Sequence, residues 1–214
     1  MNINILKNLS YGVYVISTPD GEKSTGCIAN SLMQITYDTI AVSINHKNYT
    51  NECIKKYKRF AISILGVESD DNVIPIFGFQ SGHDVDKFSG IKTINIDGID
   101  IIENSVGYII CELADSMETE THTVFLGKIT NGEILHEQIP MTYAYYHAVK
   151  KGTSPKNAPT YIEENTEAKL AYKCRICGYI YEGDITKEPD TYVCPVCKLS
   201  LIHISEPTRL RRIS

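Results

Sequence analysis

The residues with the most specific chemistry are four cysteines near the C-terminal end, Cys174 and Cys177 in one Cys-x-x-Cys pair and Cys194 and Cys197 in another. Two residues inside each pair let the backbone curl until both sulfurs face one point, with main-chain amides directed at them. Gly178 supplies the permissive φ that such a curl demands, and Pro195 stiffens the second turn. Four thiolates converging on one point select zinc or iron in tetrahedral coordination. Residues 171–198 hold almost no aliphatic core, so the module is expected to fold on its metal. On spacing alone, a structural zinc ribbon and a redox iron site both stand.

Two stretches of the N-terminal part could meet a ligand through their backbone. Residues 24–36, STGCIANSLMQIT, are small and polar where a strand gives way to a loop; a plain barrel turn would read the same. In HKNYTNECI, residues 46–54, Thr50 or Asn51 opens a helix. Its first-turn amides and dipole could hold a phosphate, with His46 and Lys47 adding positive charge, although taken alone it is a capped amphipathic helix. No Gly-x-Gly-x-x-Gly follows a strand, so a separate dinucleotide-binding domain is not expected.

Short, β-branched, turn-bounded segments must position these residues. Strands are expected near 11–18, 39–45, 59–65, 105–113 and 122–129, with helices at 50–57 and about 69–79. The strand at 11–18 alternates like a half-buried one. Many short strands with few helices over about 150 residues predict a mainly β fold, a barrel with helical covers. The run TSPKNAPTYIEENTEAK is rich in Pro, Asn and Glu and reads as a linker. The organisation expected is thus a barrel over 1–152, a linker over 153–170 and a metal module over 171–198.

Composition narrows the partners. The 214 residues carry a net charge of −5, which argues against nucleic acid, since phosphate binding needs clustered Lys and Arg. No apolar run reaches the length of a membrane span, and the first residues do not resemble a signal peptide, so a cytoplasmic protein without a membrane partner is expected. Cys27, Cys53 and Cys111 are scattered singly and should be reduced and mostly buried.

The residues around the cysteines resemble rubredoxin: YKCRICGYIYEGD and then PDTYVCPVCK, with an aromatic two residues before the first cysteine and Cys-Pro in the second pair. The resemblance implies one iron cycling between ferrous and ferric, shielded by Tyr172, Tyr179 and Tyr192, with zinc as the alternative. The ordered set YGVYVIST, GCIANSLMQIT, AVSINHKNYT, RFAISIL, HDVDKFSG and HTVFLGKI resembles the flavin reductase-like FMN-binding split barrel. By that resemblance Asn30, Ser31, Gln34, Ile35 and Thr36 line the isoalloxazine and ribityl chain of FMN, and His46, Lys47, Asn48 and Thr50 sit at its phosphate. Asp86 to Phe88 would lie near the flavin on a covering loop. Thr121-His122 stands where the family often has Asp-His; His122 reads better as a satisfied barrel histidine. The family is typically a homodimer.

The pairing resembles the high-molecular-weight rubredoxins of anaerobes. It implies an electron-transferring oxidoreductase that draws on NAD(P)H or another reductase and passes electrons through FMN and iron to a soluble redox protein such as a flavodiiron oxygen or nitric oxide reductase. No side chain is expected to serve as a general acid or base, because hydride transfer to flavin needs placement above all. Release of free reduced FMN, or a flavin-binding scaffold with structural zinc, are the competing expectations. The last residues, 199–214, look like an in-frame translation of a sequencing adapter, a non-native tail: LSLIHISEPTRLRRIS lacks the aromatic that closes rubredoxin modules, and Arg209, Arg211 and Arg212 make it basic in an acidic chain. LIHI would otherwise read as a short strand.

Overall fold

The computed structural model describes residues 3–150, 171–182, 185, 188–189 and 191–200. The expected linker at 153–170 lies outside the described residues, as do residues 201–214 of the expected tail. Seven strands form one antiparallel sheet: β1 (Tyr14–Asp20), β2 (Lys23–Ala29), β3 (Leu32–Gln34), β4 (Thr39–Asn45), β5 (Arg59–Ile64), β8 (Gly107–Glu118) and β9 (His122–Ile134). Their order across the sheet is β2-β1-β5-β8-β9-β4-β3. β6 (Thr93–Ile96) and β7 (Ile99–Ile102) make a separate hairpin, and three helices, α1 (Tyr49–Tyr57), α2 (Val73–Phe79) and α3 (Tyr143–Ala148), cover the sheet. The mainly β expectation holds.

β2 and β3 are the two edges of the sheet, yet Asn30 and Ser31 alone join them. The sheet must therefore curl until its edges nearly meet. The seam is held by Ser43 N donating to Ser31 O at 3.0 Å and Leu32 N donating to Asn30 O at 3.0 Å. Inside the curl lie Ile16, Cys27, Val42, Ile44, Ile54, Phe60, Ile62, Cys111 and Phe125. Outside it, Val13 and Val15 pack with Val73, Ile74 and Phe77 of α2 and Tyr146 of α3. β1 is thus buried on both faces, and the half-buried strand expected at 11–18 is corrected: residues 15–18 are continuously buried because α2 covers the side that would otherwise meet water. The three lone cysteines are free and buried, as expected.

The β6–β7 hairpin covers the outer face of β5 and β8 through Ile99, Ile101, Ala61 and Ile110. Asp97 and Gly98 form its turn at φ 52° and φ 80°, the mirror-image turn whose twist suits a hairpin. β8 and β9 run on beyond their expected ends, and their distal halves are mostly exposed. Register shifts at Ile110/Cys111 and Leu113/Asp115 mark bulges where the pair bends.

Close packing inside the curl leaves no room at Gly127 of β9. A Cβ there would stand 2.5 Å from Phe60 Cζ and 2.7 Å from Cys111 Cβ. Gly127→Ala is expected to fold with a stability lower by about 1–3 kcal/mol. Denaturant unfolding should show the midpoint falling at an unchanged slope; an unmoved midpoint would mean that Phe60 yields freely.

Candidate functional site: a four-thiol cage and the barrel seam

The four module sulfurs all lie within 4.8 Å of one another and are buried. Cys174 and Cys197 approach to 3.6 Å, Cys177 and Cys194 to 3.5 Å. A tetrahedral centre with metal–sulfur bonds of about 2.3 Å has sulfur–sulfur edges of about 3.8 Å, so the cage fits such a metal. Each half is built by the same bonds. Cys174 N donates to Tyr179 O and Gly178 N to Cys174 O, while Cys194 N donates to Leu199 O and Lys198 N to Cys194 O, all at 2.8–2.9 Å. β10 (Ala171–Lys173) pairing with β11 (Ile180–Glu182) closes the first half, and the Val193–Ser200 bridge closes the second.

Gly178 has φ 77° as the spacing required; Lys198, its counterpart, has φ 58°. That second left-handed position carries no glycine and was not legible in sequence. Cys194 accepts from the thiols of Cys177 and Cys197 and from backbone amides, which lowers its pKa, and donating to Cys194 pushes the Cys177 thiol up. Of the expected shielding aromatics, Tyr179 packs on the cage, Tyr192 meets Tyr181 edge-on at 5.8 Å, and Tyr172 pairs with Tyr181 in the β10–β11 ladder.

The second site is at the seam. Asn30 is buried and Ser31 Oγ donates to its Oδ1 at 3.2 Å. Gln34 ends β3, and Ile35 and Thr36 form the exposed β3–β4 turn, where Thr36 Oγ1 donates to Asp38 Oδ1 at 2.8 Å. That bond holds the Asp38 carboxyl below its usual range. α1 starts at the end of β4. Its N-cap, Asn48, makes no side-chain capping bond, although Asn51 N in the first turn donates to Asn48 O at 2.8 Å; a helix start without a side-chain cap can meet an anion through its leading amides. Thr50 is buried and bonded to the Cys27 thiol of β2, so the helix start lies against the seam strand. Lys47 is exposed. His46 is not: its Nε2 meets Glu118 Oε2 at 2.9 Å, and Lys55 Nζ meets Glu118 Oε1 at 2.8 Å. These partners, Lys55 first, hold the Glu118 carboxyl low. His122 opens β9 with Nδ1 2.7 Å from Thr121 Oγ1, a partnered barrel histidine.

The segment after α2 closes over the helix start. Gly82 packs so tightly that a Cβ would stand 2.2 Å from Thr25 Oγ1, and the His83 ring lies 3.9 Å from that of Tyr49. Tyr49 in turn donates to Asp20 at 2.8 Å, and this bond pushes its phenol up. Asp86 is pinned by Lys23 at 2.9 Å, and Phe88 packs edge-on against Phe77 at 4.8 Å. Lys87 between them is 4 % exposed. Its Nζ donates to Gly26 O at 2.8 Å and Phe77 O at 3.3 Å, and burial lowers its pKa to about 8. Nothing in the exposed-looking run HDVDKFSG shows that this lysine, among its charged neighbours, is the one turned inward.

The flavin reductase like domain matches residues 6–154, and a rubrerythrin, rubredoxin-like domain matches residues 172–200. The chain belongs to the flavin reductase-like family. It is a flavoprotein oxidoreductase of that family, joined to a rubredoxin-like module and serving electron transfer. Among relatives, the high molecular weight rubredoxin of Moorella thermoacetica is 37 % identical, covering 92 % of this chain and 96 % of that protein. The ferric-chelate reductase (NAD(P)H) of Archaeoglobus fulgidus is 30 % identical over 76 % of this chain and 99 % of its own length. A solved flavin reductase in its native state superposes with a TM-score of 0.57 at 26 % identity, covering 66 % of this chain and 93 % of that one. The NADH:FAD oxidoreductase of Streptomyces globisporus shares the fold at 19 % identity, with a TM-score of 0.60, over 65 % of this chain and 84 % of that one.

The family chain carries a pH signature at Lys87. Its ammonium titrates near 8 when folded and near 10.4 when unfolded. Between these values the unfolded chain binds the extra proton, so stability rises with pH across that window. Below pH 8 the buried charge costs on the order of 3 kcal/mol. The difference in unfolding free energy between wild type and Lys87→Met should therefore shift in favour of wild type from pH 8 to 10, measured by denaturant titration at several pH values. A pH-independent difference would show that Lys87 keeps its unfolded-state pKa in the fold.

Proposed function

We propose that this protein moves electrons from NAD(P)H, through FMN bound at the seam, to a single iron held by Cys174, Cys177, Cys194 and Cys197, and on to a soluble redox protein. The observation that carries this is the buried cage of four sulfurs, sized for one tetrahedral metal, in the same chain as a flavin reductase fold. Iron suits it better than structural zinc because the surrounding aromatics and Cys-Gly-Tyr and Cys-Pro turns match electron-carrying modules. FMN, when bound, supplies a centre that takes a hydride and gives electrons singly. One hydride carries two electrons, so a one-electron metal held by these four cysteines would be reduced twice per nicotinamide oxidised, with one proton released.

The residues do the placing. Asn30 and Ser31, with Gln34, Ile35 and Thr36 on the rim, offer amides and polar groups to the ring and ribityl chain. The first turn of α1 at Asn48 and Thr50, with Lys47 and His46, would sit at the phosphate, and His46 Nε2 is already paired with Glu118 at 2.9 Å. An acidic surface suits a transient, electrostatically steered partner, for which a flavodiiron protein is the expected kind. Exposed Met33, Ile35, Tyr37 and Met117 lie on the β3–β4 edge and the β8–β9 arm, the faces by which two copies would form a homodimer.

A spectrum of purified protein tests this. Visible absorbance beyond the flavin bands should bleach with NAD(P)H under anaerobic conditions. Cys194→Ser should lose the metal-dependent bands while its flavin is still reduced at the wild-type rate. Stoichiometric zinc with flavin absorbance alone would overturn the electron-carrier reading, and loss of FMN on desalting would favour supply of free reduced flavin instead.

A further inference from the structure

Phe79 joins two parts of the molecule that otherwise have separate cores. It packs on the outer barrel cluster with Phe77, Ile74 and Val73, and it also packs on the four-cysteine cluster beside Tyr179 and Val196. It is the last residue of α2. Three residues further on, Gly82 lies against Thr25 and Tyr49 at the start of α1. Three residues span at most about 11 Å, so the aromatic touching the cage and the glycine packed against β2 and the start of α1 belong to one short, continuous piece of backbone.

The rest of the contact is not sealed. Between α2, α3 and the second cysteine turn runs a cleft of about 430 Å³, walled by Ile74, Pro75 and Tyr146 on one side and by Pro195, Val196 and Lys198 on the other. Asp70, Asp71 and Lys150 rim it, with Lys150 Nζ 2.5 Å from Asp71 Oδ1. A fused core would fill such a space. An apolar point of contact inside an open, charged rim is instead the form of a weak, releasable interface.

We infer that the α2 face centred on Phe79 is the seat at which the chain's own cysteine module docks to receive electrons from the flavin at the seam, and from which it lifts to meet its partner. The inference rests on the electron-transfer reading above. Phe79 is a positioning residue: it touches the cage and fixes how closely the cage stands to the 80–83 segment. The redox change is one electron per docking, with two dockings for each hydride taken from NAD(P)H.

Two measurements on the full chain test the seat. With zinc in the cage, hydrogen–deuterium exchange should show residues 73–79 and 194–198 protected together, and Phe79→Ala or Val196→Asp should raise exchange on both segments. In the iron-loaded chain mixed anaerobically with NAD(P)H, bleaching of the iron bands should be independent of protein concentration. Phe79→Ala should slow that bleaching about tenfold while flavin bleaching and the resting iron spectrum stay as in wild type, and Phe79→Tyr should restore it. Equal iron bleaching in wild type, Phe79→Ala and Val196→Asp, or unlinked exchange of the two segments, would overturn the seat while leaving the electron-transfer reading intact. Absence of iron bleaching in the wild type would overturn that reading and the electron role of the seat with it.

Discussion

The step from Ala29 to Leu32 is the constraint on which the barrel depends. In a flat seven-stranded sheet the edge strands would stand about 29 Å apart, yet β2 and β3, the edges here, are joined by two residues that reach about 11 Å. The sheet has to curl, and the curl creates an inner face that Phe60, Phe125 and Ile62 fill completely. It also brings the end of β4, and hence the start of α1, beside β2, where Thr50 meets Cys27. The seam is therefore the closure of the barrel, held by Ser43 N donating to Ser31 O and Leu32 N donating to Asn30 O.

Polar groups near that seam are buried at a cost that local bonds offset. Asn51 Nδ2 donates to Ile44 O at 2.9 Å and to Thr123 Oγ1 at 3.0 Å, and Thr123 Oγ1 donates to Glu118 at 2.9 Å. Glu118 then holds His46 and Lys55 at the surface. One connected set runs from the buried face of α1 to the β8–β9 turn at Glu118, so the helix start cannot move without disturbing that turn. Lys87 does the same from the other side, using the carbonyls of Gly26 and Phe77 to bind the covering loop to β2. Both sides of the seam are thus tied down by hydrogen bonds between distant segments.

What could be read in the sequence was local. The cysteine pairs could be read because two-residue spacing forces convergence whatever surrounds it, and β4 and β5 because their apolar residues are contiguous. β6 and β7 announce only their turn, at Asp97-Gly98; their role, covering β5 and β8, is set by residues far away in the chain. The double burial of β1, the inward turn of Lys87 and the capture of His46 by Glu118 each depend on a partner dozens of positions distant. Alternation and charge pattern carry no trace of such partners. α3 went unread for the related reason that six residues hold too little periodicity, and its position is fixed by the bridges Gly12–Thr142 and Gly66–Pro140.

The cage shows why a module can tolerate an unusual continuation. Its second half closes through Leu199 O and the bridge to Ser200, and main-chain bonds can be made by almost any residue. The side chains that matter are the four thiols, the apolar cover from Ile176, Tyr179, Val196 and Leu199, and the residue at each left-handed turn. Lys198 meets that last demand at a cost of roughly 1–2 kcal/mol relative to glycine, which four metal–sulfur bonds can readily outweigh. A tail foreign to the module, if 199–214 are one, can therefore complete the fold without rubredoxin's closing aromatic. Phe79 approaches the cage from the barrel and supplies an aromatic from outside the module, so part of the shielding that a free-standing carrier would build for itself exists here only while the module is seated.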